Sequence, residues 1–253
     1  MARLPFFAAA LVAGLSLTTA ATAQTPPMSD ADRAAFRAEV RAYLMENPEV
    51  IFEAVAEFER RNQASQADMD TTLVELNADE IFRDGYSWVT GNPEGDITLV
   101  EFMDYRCSYC RRAQEQVMSL LEGDGNIRLV IKEFPILGPQ SDLMSRFALA
   151  VQHLGGQTAY AQAHEQLMTW EGDFFEEDVR ALAVGLSLDE AEVLAQMRGD
   201  VVNDILAANH ALAQRLQISG TPTFVMGAAE GGEMLRGFLP ADAMAGVATR
   251  LRG

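Results

Sequence analysis

The stretch Phe102-Met103-Asp104-Tyr105-Arg106-Cys107-Ser108-Tyr109-Cys110 decides the fold of this chain, and both cysteines of the 253-residue sequence lie in it. An apolar run from Ile97 to Met103 leads into the cysteines, and a helical pattern follows them. A Cys-x-x-Cys at the junction of a strand and a helix is typical of a dithiol that cycles between reduced and oxidised forms.

Two other roles for the cysteine pair have less support in the sequence. A structural disulfide between Cys107 and Cys110 would close a very short loop, and the chain-entropy stabilisation would be only about 2 kcal/mol. A zinc site would need further ligands, but the three histidines, His153, His164 and His210, lack the spacing of such sites. We therefore predict a redox dithiol without a metal or another cofactor.

The segments around the dithiol predict a strand–helix–strand unit. Ile97 to Asp104 reads as a strand buried on both faces, which is typical of the centre of a sheet. A helix is predicted over Cys107 to Leu121 and the next strand over Ile127 to Phe134. Trp88-Val89 begins a short strand before this unit.

The rest of the chain completes an α/β pattern. Between Ser141 and about Gly199 the periodicity is helical only, with a break at Gly155-Gly156. The later predicted elements are a helix over Val201 to Leu216, a strand ending at Met226, a strand after Gly231-Gly232 and a helix from Pro240. This order predicts a thioredoxin-like core with an inserted helical domain and an N-terminal helical extension.

The first residues have the features of a secretory signal. Arg3 is positive, Leu4 to Leu17 is apolar, and Ala21-Thr22-Ala23 forms a small-residue cleavage site. The apolar stretch is shorter than the roughly 20 residues that a spanning helix needs. We predict export to the periplasm or an equivalent oxidising space, where disulfide chemistry takes place. The net charge of −18 disfavours nucleic acid and anionic membrane surfaces as partners.

An apolar stripe runs along the predicted helical extension. Ser29 or Asp30 can cap its first helix, and Asn47-Pro48 separates that helix from a second one. The stripe consists of Phe36, Val40, Tyr43, Leu44, Ile51, Phe52, Val55 and Phe58. A segment this small cannot bury the stripe in a core of its own. It either packs against the catalytic domain or mediates self-association through residues 31–59, with the polar stretch 60–72 as a connecting arm.

We divide the chain into five segments. They are a signal peptide at 1–23, a helical extension at 24–78, the first part of the core at 79–139, a helical insertion at 140–197 and the second part of the core at 198–253.

Three stretches resemble the DsbA-like branch of the thioredoxin superfamily. They are residues 102–110, Lys132-Glu133-Phe134-Pro135-Ile136-Leu137-Gly138-Pro139 and Gly220-Thr221-Pro222-Thr223-Phe224. Within that branch, Tyr43-Leu44-Met45-Glu46-Asn47-Pro48-Glu49-Val50 resembles the helical extension of ScsC-type proteins, which are linked to suppression of copper sensitivity. The resemblance covers essentially all of the mature chain.

The dithiol residues have distinct expected roles. Cys107 is the expected nucleophile, because a helix N-terminus stabilises a thiolate, and Cys110 is the expected buried resolving thiol. Ser108 and Tyr109 are expected to tune the redox potential. DsbA-type oxidants usually have a histidine just before the second cysteine, and Tyr109 stands there in this chain.

The resemblance implies four further site residues. Pro222 is expected to be a cis-proline facing the dithiol, and Thr221 to offer its backbone to an extended substrate peptide. Glu101 resembles the family's buried acid, which can relay a proton to the second cysteine, and Lys132 resembles the partner of that acid. An ordinary trans-proline, or an unrelated Glu101 and Lys132, are the alternatives. Arg106, Arg111 and Arg112 flank the dithiol and either lower the pKa of its nucleophile or are simply solvated.

The predicted function is that of an exported enzyme acting on protein disulfides. Isomerase or reductase activity is favoured over net oxidation, because of Tyr109, Thr221 and the apolar stripe. One alternative is a DsbA-type oxidase, and another is a copper-binding or chaperone-like protein without enzymatic activity. The expected partners are proteins with cysteines or disulfides and a membrane redox protein of the DsbD or DsbB type.

Overall fold

The computed structural model describes residues 28–228 and 231–253, and the predicted signal peptide at 1–23 lies outside the described residues. The chain divides into two compact units, Met1–Phe58 and Glu59–Gly253. The helices are α1 (Asp30–Glu46), α2 (Glu49–Leu76), α3 (Ala78–Phe82), α4 (Ser108–Asp124), α5 (Pro139–Met168), α6 (Glu176–Gly185), α7 (Glu190–Gln196), α8 (Asp200–Arg215) and α9 (Ala241–Arg252). The strands are β1 (Trp88–Gly91), β2 (Ile97–Met103), β3 (Ile127–Glu133), β4 (Thr223–Ala228) and β5 (Gly231–Arg236).

The first unit is helical and leaves its apolar side chains exposed. Ser29 is the N-cap of α1 and accepts a hydrogen bond from the backbone N–H of Asp32, as the sequence predicts. None of the residues of α1 is buried. In the single chain, Phe36, Phe52 and Phe58 are 60%, 75% and 65% exposed. The predicted apolar stripe is therefore open to solvent.

The second unit contains a five-stranded sheet in the order β1-β3-β2-β4-β5. Strand β2 lies at its centre, parallel to β3 and antiparallel to β4. This confirms the prediction of a central strand that is buried on both faces. The outer strands β1 and β5 are antiparallel to their neighbours.

The alternation of side chains along β2 divides the core into two layers. Leu99 and Met103 join the larger cluster, which also contains Cys107 and Cys110. The intervening residues Val100 and Phe102 face a second cluster, with members such as Val74, Ile81, Phe82, Leu212 and Leu216. The dithiol therefore lies on one defined face of the sheet.

The end of α2 contributes to this second cluster. Val74 is fully buried there, and Asp70, one turn earlier, is also buried. Residues 59–76 of α2 belong to the same compact unit as the sheet. The last part of the predicted extension 24–78 therefore packs as part of the core of the second unit.

The helical insertion lies between β3 and α8. The predicted break at Gly155-Gly156 is confirmed: α5 consists of two helical stretches joined across a kink, where Gly156 has the non-helical values φ 74° and ψ −167°. A left-handed backbone at this position suits glycine, which has no Cβ. The limits of the insertion, 140 and 197, stay a prediction. Among the described residues, none of the helices combines the length and apolar composition that a membrane span requires.

Candidate active site

The dithiol lies where β2 leads into α4. Cys107 is the N-cap residue of α4, and its backbone N–H donates to the carbonyl of Asp104 at 3.0 Å. Cys110 lies in the first turn and is fully buried, whereas Cys107 remains 7% exposed. A substrate disulfide therefore has access to the partly exposed Cys107 sulfur and not to that of Cys110.

The surroundings of Cys107 favour its thiolate. A hydrogen bond with the Cys110 side chain makes the largest contribution in lowering the pKa of Cys107 from 9.0 to about 5. The Thr221 side chain and the backbone N–H groups of Cys110 and Tyr109 act in the same direction, and together they outweigh burial, which raises this pKa. These N–H groups are the unpaired donors of the helix N-terminus.

The pKa of the second thiol, that of Cys110, is shifted in the opposite direction. Its hydrogen bond with Cys107, then burial, then the charge of Glu101 raise the pKa of Cys110 well above its ordinary value. At neutral pH the pair therefore consists of one thiolate and one thiol that shares its proton with it.

The loop before β4 faces the nucleophile. The Thr221–Pro222 peptide bond is cis, as the resemblance implied. The Cys107 thiol can donate to the carbonyl oxygen of Thr221 at 3.2 Å. A cavity of about 190 Å³ lies beside this loop, lined by residues 219–223 together with Arg236 and Gly237.

Glu101 lies on the same face of the sheet as the dithiol. Its side chain is 1% exposed. Within the described part of the chain, its Oε1 atom has no hydrogen-bond partner. Burial raises the pKa of Glu101 to about 8, and the charge of Cys107 adds to this shift. A buried carboxyl with this pKa, coupled to both thiols, can take up and return a proton near neutral pH.

The expected pairing of Glu101 with Lys132 is wrong. The register aligns Glu101 with Ile131 and Phe102 with Lys132, so that Lys132 points to the opposite face of the sheet. There its ammonium group forms a buried salt bridge with Asp84 and donates to the backbone carbonyl of Glu80 at 2.7 Å.

The three arginines near the dithiol contact other groups. Arg106 and Arg111 donate to the backbone carbonyls of Gly172 at 2.5 Å and Trp170 at 2.6 Å. The guanidinium of Arg112 lies 5.5 Å from the centre of the Tyr109 ring. The main causes that lower the pKa of Cys107 are hydrogen bonds from Cys110, Thr221 and backbone N–H groups rather than the charges of these arginines. Tyr109 itself is half exposed beside the nucleophile, and Ser108 begins α4.

Two buried carboxylates support the site, and neither of them was assigned a role from the sequence. Asp104 accepts from the backbone N–H groups of Arg106, Ile136 and Leu137 and from the Ser141 hydroxyl. It thereby fixes the turn before Cys107 against the loop after β3. The sequence does carry a signal for this role of Asp104. The residue stands at the end of a strand just before a turn, and Asp side chains at such positions commonly accept hydrogen bonds from nearby backbone N–H groups.

Glu133 is the second of these carboxylates, and it joins the turn to the helical insertion. It accepts from the hydroxyls of Tyr105 at 2.8 Å, Tyr160 at 2.5 Å and Ser145 at 2.7 Å. Burial raises the pKa of Glu133 to about 7 despite these three hydrogen bonds, which lower it. The Nδ1 atom of His164 lies 3.0 Å from the Tyr105 hydroxyl. The sequence gives no signal for this cluster, because its members come from distant segments.

Comparisons with known proteins agree with this geometry. Residues 98–252 match the DSBA-like thioredoxin domain, and residues 32–65 match the Copper resistance protein ScsC N-terminal domain. A thioredoxin-like oxidoreductase from Silicibacter pomeroyi is 40% identical, with a TM-score of 0.61 over 69% of this chain and 96% of that chain. BcfH from Salmonella enterica Typhimurium is 27% identical, with a TM-score of 0.74 over 88% of this chain and 97% of that chain.

One curated relative is a much longer protein than this chain. The Na(+)/H(+) antiporter NhaA 1 of Salinispora arenicola is 33% identical over 141 residues, which are 54% of this chain and 21% of the antiporter. The chain thus spans about a fifth of the length of the curated relatives it matches. The matched family covers β2 to α9, including both cysteines and the cis-proline. The chain belongs to the DSBA-like thioredoxin domain family, and its N-terminal helices form a domain of the ScsC type.

Proposed function

We propose that this chain is an exported protein disulfide oxidoreductase in which Cys107 is the nucleophile and Cys110 the resolving thiol. The observation that carries the proposal is the accessible Cys107 at the N-terminus of α4, with its pKa lowered to about 5 and the cis Thr221–Pro222 bond opposite. At neutral pH such a cysteine is largely thiolate, the form that attacks disulfides.

The exchange has two steps. The Cys107 thiolate attacks one sulfur of a substrate disulfide, a mixed disulfide forms, and the other substrate sulfur leaves as a thiolate that takes a proton from solvent. Cys110 then loses its proton to the ionised form of Glu101, which is the minor form at neutral pH because the pKa of Glu101 is about 8, and attacks the Cys107 sulfur. The substrate leaves as a second thiolate, and the two cysteines remain joined as a disulfide. Two electrons have then passed from the enzyme to the substrate.

Isomerisation is the finer role that we propose. In that case a second thiolate of the substrate attacks the mixed disulfide, and Cys107 leaves again as a thiolate without net oxidation. The exposed stripe on α1 and α2 supports this role, because self-association through residues 31–59 would place several dithiols around one client.

Oxidation is the second candidate. A hydrogen bond with Cys110 and the N-terminus of α4 stabilise the thiolate of the reduced form, and a stabilised reduced form makes a dithiol a stronger oxidant. Under both roles we propose a periplasmic location, protein substrates with cysteines or disulfides and a membrane redox partner of the DsbD or DsbB type. The resemblance to the DsbA-like branch supports these three assignments.

A redox titration combined with refolding assays tests the proposal. The mature protein is equilibrated with glutathione buffers, and the thiol content gives its potential. It is then added to a reduced and to a scrambled disulfide protein. Recovery of the scrambled substrate alone indicates isomerisation, and faster oxidation of the reduced substrate indicates oxidase activity. The Cys107→Ser/Cys110→Ser double variant is the control, and wild-type protein no more active than this control contradicts the proposal.

A further inference from the structure

An ion pair between the buried Asp70 and the partly exposed Arg236 connects α2 to the end of β5. The Nη2 and Nε atoms of Arg236 donate to the two carboxylate oxygens of Asp70, at 2.7 and 3.2 Å. Asp70 is 5% exposed and also accepts from Gln66 at 2.8 Å. A two-pronged guanidinium–carboxylate contact of this kind fixes the orientation of the arginine as well as its position.

The same guanidinium binds the end of α8. Its Nη1 atom donates to the carbonyl of Gln217 at 2.8 Å, and its Nη2 atom donates to the carbonyl of Leu216 at 3.3 Å. The last carbonyls of a helix have no partner within the helix, so Arg236 supplies one. Gln217 has φ 54°, which is the left-handed backbone at which the chain leaves α8.

The other end of this loop is also held from β5. The backbone N–H of Gly237, the next residue after Arg236, donates to the carbonyl of Pro222 at 3.0 Å. Two adjacent residues thus bracket the segment Gln217–Pro222 at its beginning and its end. Arg236 and Gly237 line the cavity of about 190 Å³ beside that segment.

We propose that Asp70 is a positioning residue for the protein substrate. It orients Arg236, and Arg236 holds Gln217–Pro222 in the conformation that presents the Thr221 backbone to an extended peptide. The inference rests on the proposed function, in which a substrate peptide pairs along Thr221. A loop that is already ordered costs less conformational entropy when the peptide binds, so the affinity for peptide is higher.

A positioning role for Asp70 can be distinguished from a purely stabilising one, because loss of a positioning residue affects some substrates and not others. A disulfide-containing peptide uses both the loop and the Cys107 thiolate. The aromatic disulfide 5,5′-dithiobis(2-nitrobenzoic acid) has no peptide backbone to pair with the loop and reports on the thiolate alone. The pKa of Cys107 should stay well below its ordinary value, because the Cys110 hydrogen bond lowers it most and does not involve this loop, whereas Thr221 contributes less.

The decisive experiment compares Asp70→Asn with Glu80→Gln in the mature chain. Glu80 is a matched control, because it forms an exposed ion pair at 2.5 Å with Arg215, the last residue of α8. For Asp70→Asn we expect KM for the peptide to rise about tenfold, corresponding to about 1.4 kcal/mol. Its kcat and its rate with the aromatic disulfide at neutral pH should match the wild type, and its Cys107 pKa should stay well below the ordinary value of 9.0. Glu80→Gln should change none of these quantities.

A second variant covers the case in which Asp70→Asn does not fold. Arg236→Lys keeps the positive charge, but a single ammonium cannot reproduce the planar fork that reaches a carboxylate and two carbonyls. It should raise KM for the peptide in the same selective way. An unchanged KM in either folded variant, or an equal loss of rate with both substrates, overturns the inference. Wild-type protein inactive with both substrates overturns the proposed function, and the inference with it.

Discussion

Cys107 and Cys110 ionise differently although they lie in the same helical turn. The hydrogen bond between them lowers the pKa of the first and raises the pKa of the second. Burial of Cys110 increases the difference, because a thiolate there would be removed from water. The assignment of nucleophile and resolving thiol therefore follows from the position of each sulfur along α4.

Single serine variants should separate the two roles. Cys107→Ser should abolish exchange with a protein disulfide. Cys110→Ser should instead accumulate mixed disulfides through Cys107, because attack still occurs and resolution does not. Mass spectrometry of the trapped adducts checks this prediction. Adducts that form through Cys110 in the Cys107→Ser protein would reverse the assignment.

Glu101 should make the stability of the protein depend on pH. Its folded pKa of about 8 lies above its ordinary value of 4.5, so the folded chain binds this proton more tightly than the unfolded chain. The contribution of Glu101 to the free energy of unfolding is thus present at low pH and is lost as pH rises through this window.

The isosteric variant Glu101→Gln should remove this dependence. We expect it to gain stability relative to the wild type between pH 5 and pH 8, by on the order of 3 kcal/mol. Urea unfolding of the reduced proteins at both pH values measures the change. Glu115→Gln, on the exposed face of α4, is the control. Equal shifts in both variants would show that Glu101 does not hold its proton in the folded state.

At the scale of elements, the register of β2 and β3 decides which charged residues can meet. It places Glu101 and Lys132 on opposite faces of the sheet, although the two residues lie in neighbouring strands. The sequence predicts both strands, because their apolar runs are clear. It does not predict the partner of Lys132, because Asp84 lies 48 positions away in a segment without periodicity.

Lys132→Met should therefore destabilise the fold without changing the thiol chemistry. The substitution leaves Asp84 buried without its partner, and we expect a loss of about 3–5 kcal/mol in the free energy of unfolding. The pKa of Cys107, read from thiolate absorbance, should stay the same. Lys132→Met/Asp84→Leu should recover part of the stability, because it removes both charges. A raised Cys107 pKa in Lys132→Met would restore a link between Lys132 and the dithiol.

Local sequence signals determine how much of the site could be predicted. The cysteines, Pro222 and Glu101 stand in or next to short recognisable motifs, and the structure places them together around the start of α4. The cluster around Glu133 and the contact of Asp70 with Arg236 escaped prediction. Residues far apart in the sequence form both, and only the completed fold brings them together.

At the scale of the whole molecule, the exposed stripe of the first unit is the main feature without a partner in the single chain. Its phenylalanines are more than half exposed, although burial of such a side chain stabilises by about 1.5–3 kcal/mol. Burying several of them per chain could exceed the entropic cost of assembly, which is of order 4–15 kcal/mol. We therefore keep self-association through residues 31–59 as a prediction.

Charged substitutions on the stripe test this prediction. The wild-type mature protein should have a particle mass of two or more chains, and Phe52→Glu/Phe58→Glu should reduce it to one chain. Phe175→Glu, at an exposed phenylalanine outside the stripe, should leave the mass unchanged. The double variant should retain exchange with a small disulfide and lose refolding of scrambled substrates. Light scattering that gives a single-chain mass for the wild type at tens of micromolar would refute assembly.

The burial of Lys132 also determines how the folded protein reacts with reagents that target lysine side chains. This is the only lysine in the sequence, and its side chain is fully enclosed. Acylating dyes, amine cross-linkers and lysine-specific proteases thus find no lysine target on the folded surface. Acylation or cleavage at Lys132 requires the sheet to open. The rate of either reaction therefore measures how often the chain unfolds locally around Lys132.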